Sequence, residues 1–208
     1  MFPYDFLPCD KQRFSDGPWQ GEVDSYEWLD RLSGLHCAII RHTAVGSLLG
    51  YVAVPKGHKL HRVGYRDLVD IPPGSMERLV GMEDVGVFNL LIGAHEMTPT
   101  QAPLSLITHC HEGLSYSAMD DRGNWWFGFD CGHSHDLAPG IPYLFEWQTY
   151  RDFPYVKKQV ERLALQIKCI AEGIPFMEKK DEEVQEGRRR GDSESPGGNG
   201  SPPEGRDC

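Results

Sequence analysis

Trp125-Trp126-Phe127-Gly128-Phe129-Asp130-Cys131-Gly132-His133-Ser134-His135-Asp136 joins five apolar or glycine residues to a dense polar group. A buried strand delivers side chains to a site in this way: the apolar run is fixed in a core and its polar end stands at the edge. A second stretch, Thr108-His109-Cys110-His111-Glu112-Gly113-Leu114-Ser115-Tyr116-Ser117, has the same build, and Asp120-Asp121-Arg122-Gly123-Asn124 between the two supplies hairpin-turn residues. The pair reads as neighbouring antiparallel strands. Side chains alternate along a strand, so His109 and His111 are expected on one face and Cys110 and Glu112 on the other.

Working outward, Cys37 to His42 and Leu48 to Val54 form a second strand pair around the turn residues Ala44-Val45-Gly46-Ser47, which points to an antiparallel sheet built from local hairpins. Towards the C-terminus, Val156, Val160, Leu163, Ile167 and Ile170 recur at the spacing of one helical face, with Pro154 as a start signal and Gly173 and Pro175 as stop signals. Such a face packs on a sheet. Towards the N-terminus, Asp24 to Leu32 has a helix-like spacing of apolar positions and is expected to form a short helix. Residues 55–103 are broken by Pro72-Pro73-Gly74, and Leu79 to Ile92 is punctuated by glycines in a way that suits a strand or irregular loop. Residues 178–208 are charged and then Gly-, Ser- and Pro-rich, with too little apolar surface to offset their ordering entropy, so they are expected to be disordered.

The resulting organisation is an irregular N-terminal segment (1–19), a single α+β domain (20–175) and a disordered tail (176–208). The domain is expected to hold a mostly antiparallel sheet with one long C-terminal helix packed on it. No apolar run approaches the roughly 20 residues of a membrane span, and the N-terminus lacks the basic and apolar regions of a signal peptide. The expected location is cytoplasmic. A formal net charge of -10 argues against a large nucleic-acid footprint, and the acidic excess persists when residues 178–208 are set aside. Six cysteines without a Cys-x-x-Cys pair fit neither a disulfide scaffold nor a common structural zinc motif.

The candidate site is the polar group itself. The spacing of three puts Asp130, His133 and Asp136 on one side of a helical turn, or brings them together if Gly132 folds the chain back after the strand, and His111 arrives from the neighbouring stretch. Two imidazoles and two carboxylates suffice for three functions: a divalent metal site on His111, His133 and Asp136, a metal-free acid-base pair, or a pocket that recognises a ligand. Glu112, Ser115, Trp126 and His58 are candidate ligand-binding residues around it. Cys110 and Cys131 would shift the preference toward zinc. The ordinary explanation for each residue alone is structural: a turn cap, a strand histidine, a core tryptophan. Four histidines within one short region weigh against that explanation for all of them together.

At these residues the chain resembles a family of small proteins encoded by bacteriophages and prophages. The resemblance is carried by Gly50-Tyr51-Val52-Ala53-Val54-Pro55-Lys56-Gly57-His58, by His111-Glu112-Gly113-Leu114-Ser115-Tyr116 and by Trp125 to Asp136. It implies a phage-type accessory protein of the bacterial host cytoplasm and supplies no activity. The leading expectation is therefore a small-ligand site, for a nucleotide or nucleotide-like signal, with metal-dependent or acid-base hydrolysis. The alternative is a non-catalytic protein that binds a host protein or sequesters a ligand.

Overall fold

The structure is a computed structural model that describes residues 9–73, 91, 93, 95–141 and 145–176. Five antiparallel strands, β1 (Ser25–Leu29), β2 (His36–Arg41), β3 (Leu48–Val54), β6 (Tyr116–Met119) and β7 (Trp125–Asp130), form one sheet in the order β1-β2-β3-β7-β6. A small separate pair, β4 (Leu68–Asp70) with β5 (Gln101–Pro103), leads into a single helical turn, α1 (Leu104–Ile107). The long helix α2 (Phe153–Glu172) lies on the sheet. The α+β architecture is the one expected.

The alternation of β7 decides what lies where. Phe127 and Phe129 face α2 and join the core of Val156, Val160, Leu163 and Ile167, whereas Trp126 belongs to a second cluster with Ala38, Leu49, Tyr51 and Ala53 on the opposite face. Two glycines allow the close approaches this requires. A Cβ on Gly50 would lie 2.4 Å from Phe129 and 2.6 Å from Val160, and one on Gly128 would lie 2.6 Å from the Tyr51 ring. The helix begins on the Asp152 cap, whose carboxylate accepts from Tyr155 N, with Pro154 in the first turn, and ends at Gly173 in the left-handed region (φ 69°).

Two sequence expectations are corrected. Asp24 to Leu32 contains no helix: Ser25–Leu29 is the edge strand β1, paired with β2. The period that matters there is two, since Tyr26 and Trp28 stack on one another at 5.5 Å and Tyr26 meets Phe153 of α2. Thr108 to Ser115 is likewise not a strand. Gly113 N donates to Cys110 O, Glu112 (φ 52°) and Gly113 (φ 83°) are left-handed, and pairing with β7 starts only as β6 begins. The expected hairpin turn at Asp120 to Asn124 is present, with the Asp120 carboxylate accepting from the Arg122 and Asn124 backbone.

Residues 9–21 form two 3-10 turns that bury Cys9, Phe14 and Trp19 against Leu137 and Tyr150. Arg41, fully buried at the end of β2, ties this end of the chain down through Glu22 (2.8 Å), Asp24 (2.9 Å) and the Tyr150 hydroxyl (2.9 Å). Burial opposes its charge, yet these partners hold the Arg41 guanidinium above its ordinary pKa. Residues 79–90 of the glycine-punctuated stretch and the 178–208 tail lie outside the described residues. Among the described residues no helix is long and apolar enough to cross a membrane.

Candidate functional site

After β7 the chain turns at once: Gly132 N donates to the Asp130 carboxylate and Asp136 N to His133 O, so the polar residues spaced by three gather at the strand end. An isolated parallel bridge from Asp136 to Thr149 then fixes this turn beside the segment that enters α2. His111 comes from the loop before β6. That loop is clamped by Gln166 of α2, whose side chain accepts from His109 N and donates to His109 O.

Asp136 is the hub. Its buried carboxylate accepts from His111 Nε2 (2.7 Å) and His133 N (3.1 Å) on Oδ2, and from Arg151 Nε (2.8 Å) on Oδ1. Burial alone would raise its pKa; the donors from His111, His133 and Arg151 outweigh it and hold the carboxyl well below the usual carboxylate range. An ionised carboxylate only accepts, so His111 carries its proton on Nε2, and in the neutral ring Nδ1 accepts from the Tyr155 hydroxyl at 3.0 Å. Arg151 also covers the Tyr155 ring, 5.1 Å from its centroid. The chain Tyr155, His111, Asp136, Arg151 is thus a closed polar network.

His133 stands differently. Its Nδ1 is buried without a hydrogen-bond partner, in ion-pair range of Asp136 (3.5 Å) and Asp130 (3.8 Å). The Asp136 carboxylate raises its pKa, burial opposes this, and Asp130 adds to the rise. Single ligand-type atoms of His111, His133 and Asp136 all lie within 4.8 Å of one another.

Asp130, on the face of the sheet away from α2, meets the Ser115 hydroxyl (3.4 Å) and lines a cavity of about 370 Å³ with Leu49, Tyr51, Tyr116, Ser115 and Gly132. Of the expected site residues the structure therefore gathers His111, Asp130, His133, Asp136 and Ser115. Glu112 is near enough for its charge to raise the His133 pKa. Two are elsewhere. Trp126 lies four residues up β7, about 13 Å along the strand, and donates its indole N–H to Asp120. His58 follows β3 at the end of the sheet where Val54 pairs with Trp125, opposite the end where Leu49 pairs with Asp130. Four residues of extended strand span about 13 Å and opposite strand ends lie farther apart still, which is why proximity in sequence misled for Trp126 and motif proximity for His58.

Cys131 is a buried thiol; burial, with Asp136 and Asp130 adding and Arg151 opposing, pushes it well above its ordinary range, and the converging ligand atoms are those of His111, His133 and Asp136. His135 is exposed and rests edge-on against Trp147. Arg151, Tyr155 and Gln166 were not found by sequence reasoning. Arg151 had a signal: a cation just ahead of a helix N-terminus opposes the helix dipole and implies an acidic partner from elsewhere. Comparisons with protein-family models, curated proteins and solved structures gave no match.

Proposed function

We propose that the polar group at the end of β7 is a divalent-cation site serving the adjoining small-ligand cavity, and that the chain hydrolyses a small molecule there. The observation that carries this reading is the convergence of His111, His133 and Asp136 donor atoms within 4.8 Å of one another. His133 Nδ1 and Asp136 Oδ2, at 3.5 Å, already have nearly the spacing of about 3.3 Å between ligands around tetrahedral zinc. His111 Nε2 and Asp136 Oδ2, at 2.7 Å, have the spacing of a hydrogen bond. A cation that takes both atoms replaces the proton between them. The ring proton would then sit on Nδ1, and the Tyr155 hydroxyl, able to donate or accept, would accept a hydrogen bond from it and orient the ring.

Two imidazoles and a carboxylate leave room for water or a ligand on the ion, as in hydrolytic sites, and Asp130 is the carboxylate on the cavity side that can accept a proton from such a water. The resemblance to phage-encoded proteins supplies a setting, the host cytoplasm. A second reading, a non-catalytic protein that sequesters a ligand or docks on a host protein, draws support from the saturation of Asp136 by His111 and Arg151, which braces the loop whether or not an ion binds.

The test is calorimetric titration of zinc into chelator-stripped protein in buffers of different ionisation enthalpy. One ion per chain is expected, with release of the proton that His133, its pKa raised by Asp136, carries in the cation-free protein, while the His111 proton stays on the ring. Absence of uptake would remove the cation reading, and uptake without turnover of a nucleotide and ester panel would favour the second reading.

A further inference from the structure

The cavity beyond Asp130 has a lining that selects by charge. Its walls are apolar or hydroxyl-bearing over most of their area, with Leu49, Tyr51 and Tyr116 at the sheet surface and Ser47 and Ser115 at the edges. Among the described residues no lysine or arginine lines it, and Asp130 is its one carboxylate. One imidazole, that of His42, lines it, and His133 Nδ1 lies 3.8 Å from Asp130 Oδ1.

From this lining we infer that the cavity binds a small amine-bearing ligand, its cationic nitrogen at Asp130 and its apolar or ring body across Leu49, Tyr51 and Tyr116. Three observations converge on it. First, Asp130 Oδ1 accepts from Gly132 N (3.0 Å) and Oδ2 from Ser115 at the long distance of 3.4 Å, so a carboxylate with about four acceptor sites retains capacity toward the cavity. Second, the Tyr51 and Tyr116 rings, packed edge to face on one another (5.7 Å, 87°), both line the cavity, and aromatic rings attract cations. Third, a volume of about 370 Å³ suits a compact ligand, and the acidic chain disfavours a bare anion. The inference extends the reading of Asp130 as the ligand side of the site, and it does not depend on the cation.

The test uses the full chain, stripped of metal, and three probes of one shape: 2-phenylethylamine, 2-phenylethanol and 3-phenylpropionate, titrated by NMR. The amine is expected to bind about tenfold more tightly than the alcohol, with the acid weakest, and to shift amide signals at Ser115, Tyr116 and Gly132. Asp130→Asn should remove the preference for the amine, and Val45→Trp, which fills the cavity from its turn, should weaken both the amine and the alcohol. Should Asp130→Asn fail to fold, Val45→Trp and the probe series decide alone. Equal binding of the three probes, binding of none, an amine preference that survives Asp130→Asn, or amine and alcohol binding that Val45→Trp leaves undiminished would overturn the inference. Zinc uptake without amine binding sinks this proposal alone, while amine binding without zinc uptake sinks only the cation reading.

Discussion

Asp136 keeps a charge out of water because three donors, His111 Nε2, His133 N and Arg151 Nε, replace its hydration. Removing that charge leaves Arg151 and His111 facing an amide, so Asp136→Asn is expected to cost about 3 to 5 kcal/mol in chemical denaturation. The pH dependence follows with a definite sign. The Asp136 pKa is depressed below its unfolded value of 3.8, so its contribution is complete above that value and is lost as pH falls through the folded pKa. The His133 pKa is raised above 6.5, so its contribution is complete below 6.5 and is lost as pH rises through the folded pKa. For these two groups the cation-free protein is strongest between about pH 4 and 6.5, and urea midpoints across pH should show an acid limb that Asp136→Asn flattens. An unchanged acid limb would mean that Asp136 is not the buried anion described. At this scale His111, His133 and Asp136 were legible because ligand-type residues were dense at one strand end. Arg151 and Tyr155 were not, because what singles them out is a partner far away in sequence.

The most legible element was α2, where five apolar positions at helical spacing, a proline in the first turn and a closing glycine all agreed. Val160 is fully buried on its inner face, against the place where Gly50 of β3 leaves no room for a side chain. Val160→Asp should therefore cost about 3 kcal/mol or more, as an unpaired buried carboxylate. Denaturation like that of the wild type would show the helix face to be wrong. The strand β1 was misread because Tyr26, Trp28 and Leu29 fit a helical as well as an extended spacing over so short a run, and pairing with β2 decides between them. The loop before β6 was misread for a different reason. Its alternating residues look like a strand, but two left-handed residues at Glu112 and Gly113 end the pairing and swing His111 inward toward Tyr155.

Over the whole molecule, local hairpins and one amphipathic helix made the fold class readable, because each rests on contacts between near neighbours in sequence. What joins the N-terminal segment to the rest was hidden, since Arg41 gathers Glu22 and Asp24 from one place in the chain and Tyr150 from another far away. The composition of residues 179–208 predicts that their deletion leaves a cooperative thermal transition at an unchanged temperature, and a lost transition would contradict that reading. The central claim concerns the two histidines, and the most direct measurement is a double-mutant cycle of His111→Ala and His133→Ala read by bound zinc and by thermal melting. His36→Ala, exposed at the far end of β2, serves as the control. Each single variant should fold, lose the zinc that the wild type binds, and show no further loss of zinc in the double variant, because one missing ligand already disables a shared site. Single variants that retain wild-type zinc binding while their stability losses, about 1 to 3 kcal/mol each, simply add would contradict the account and leave both histidines as parts of a structural network.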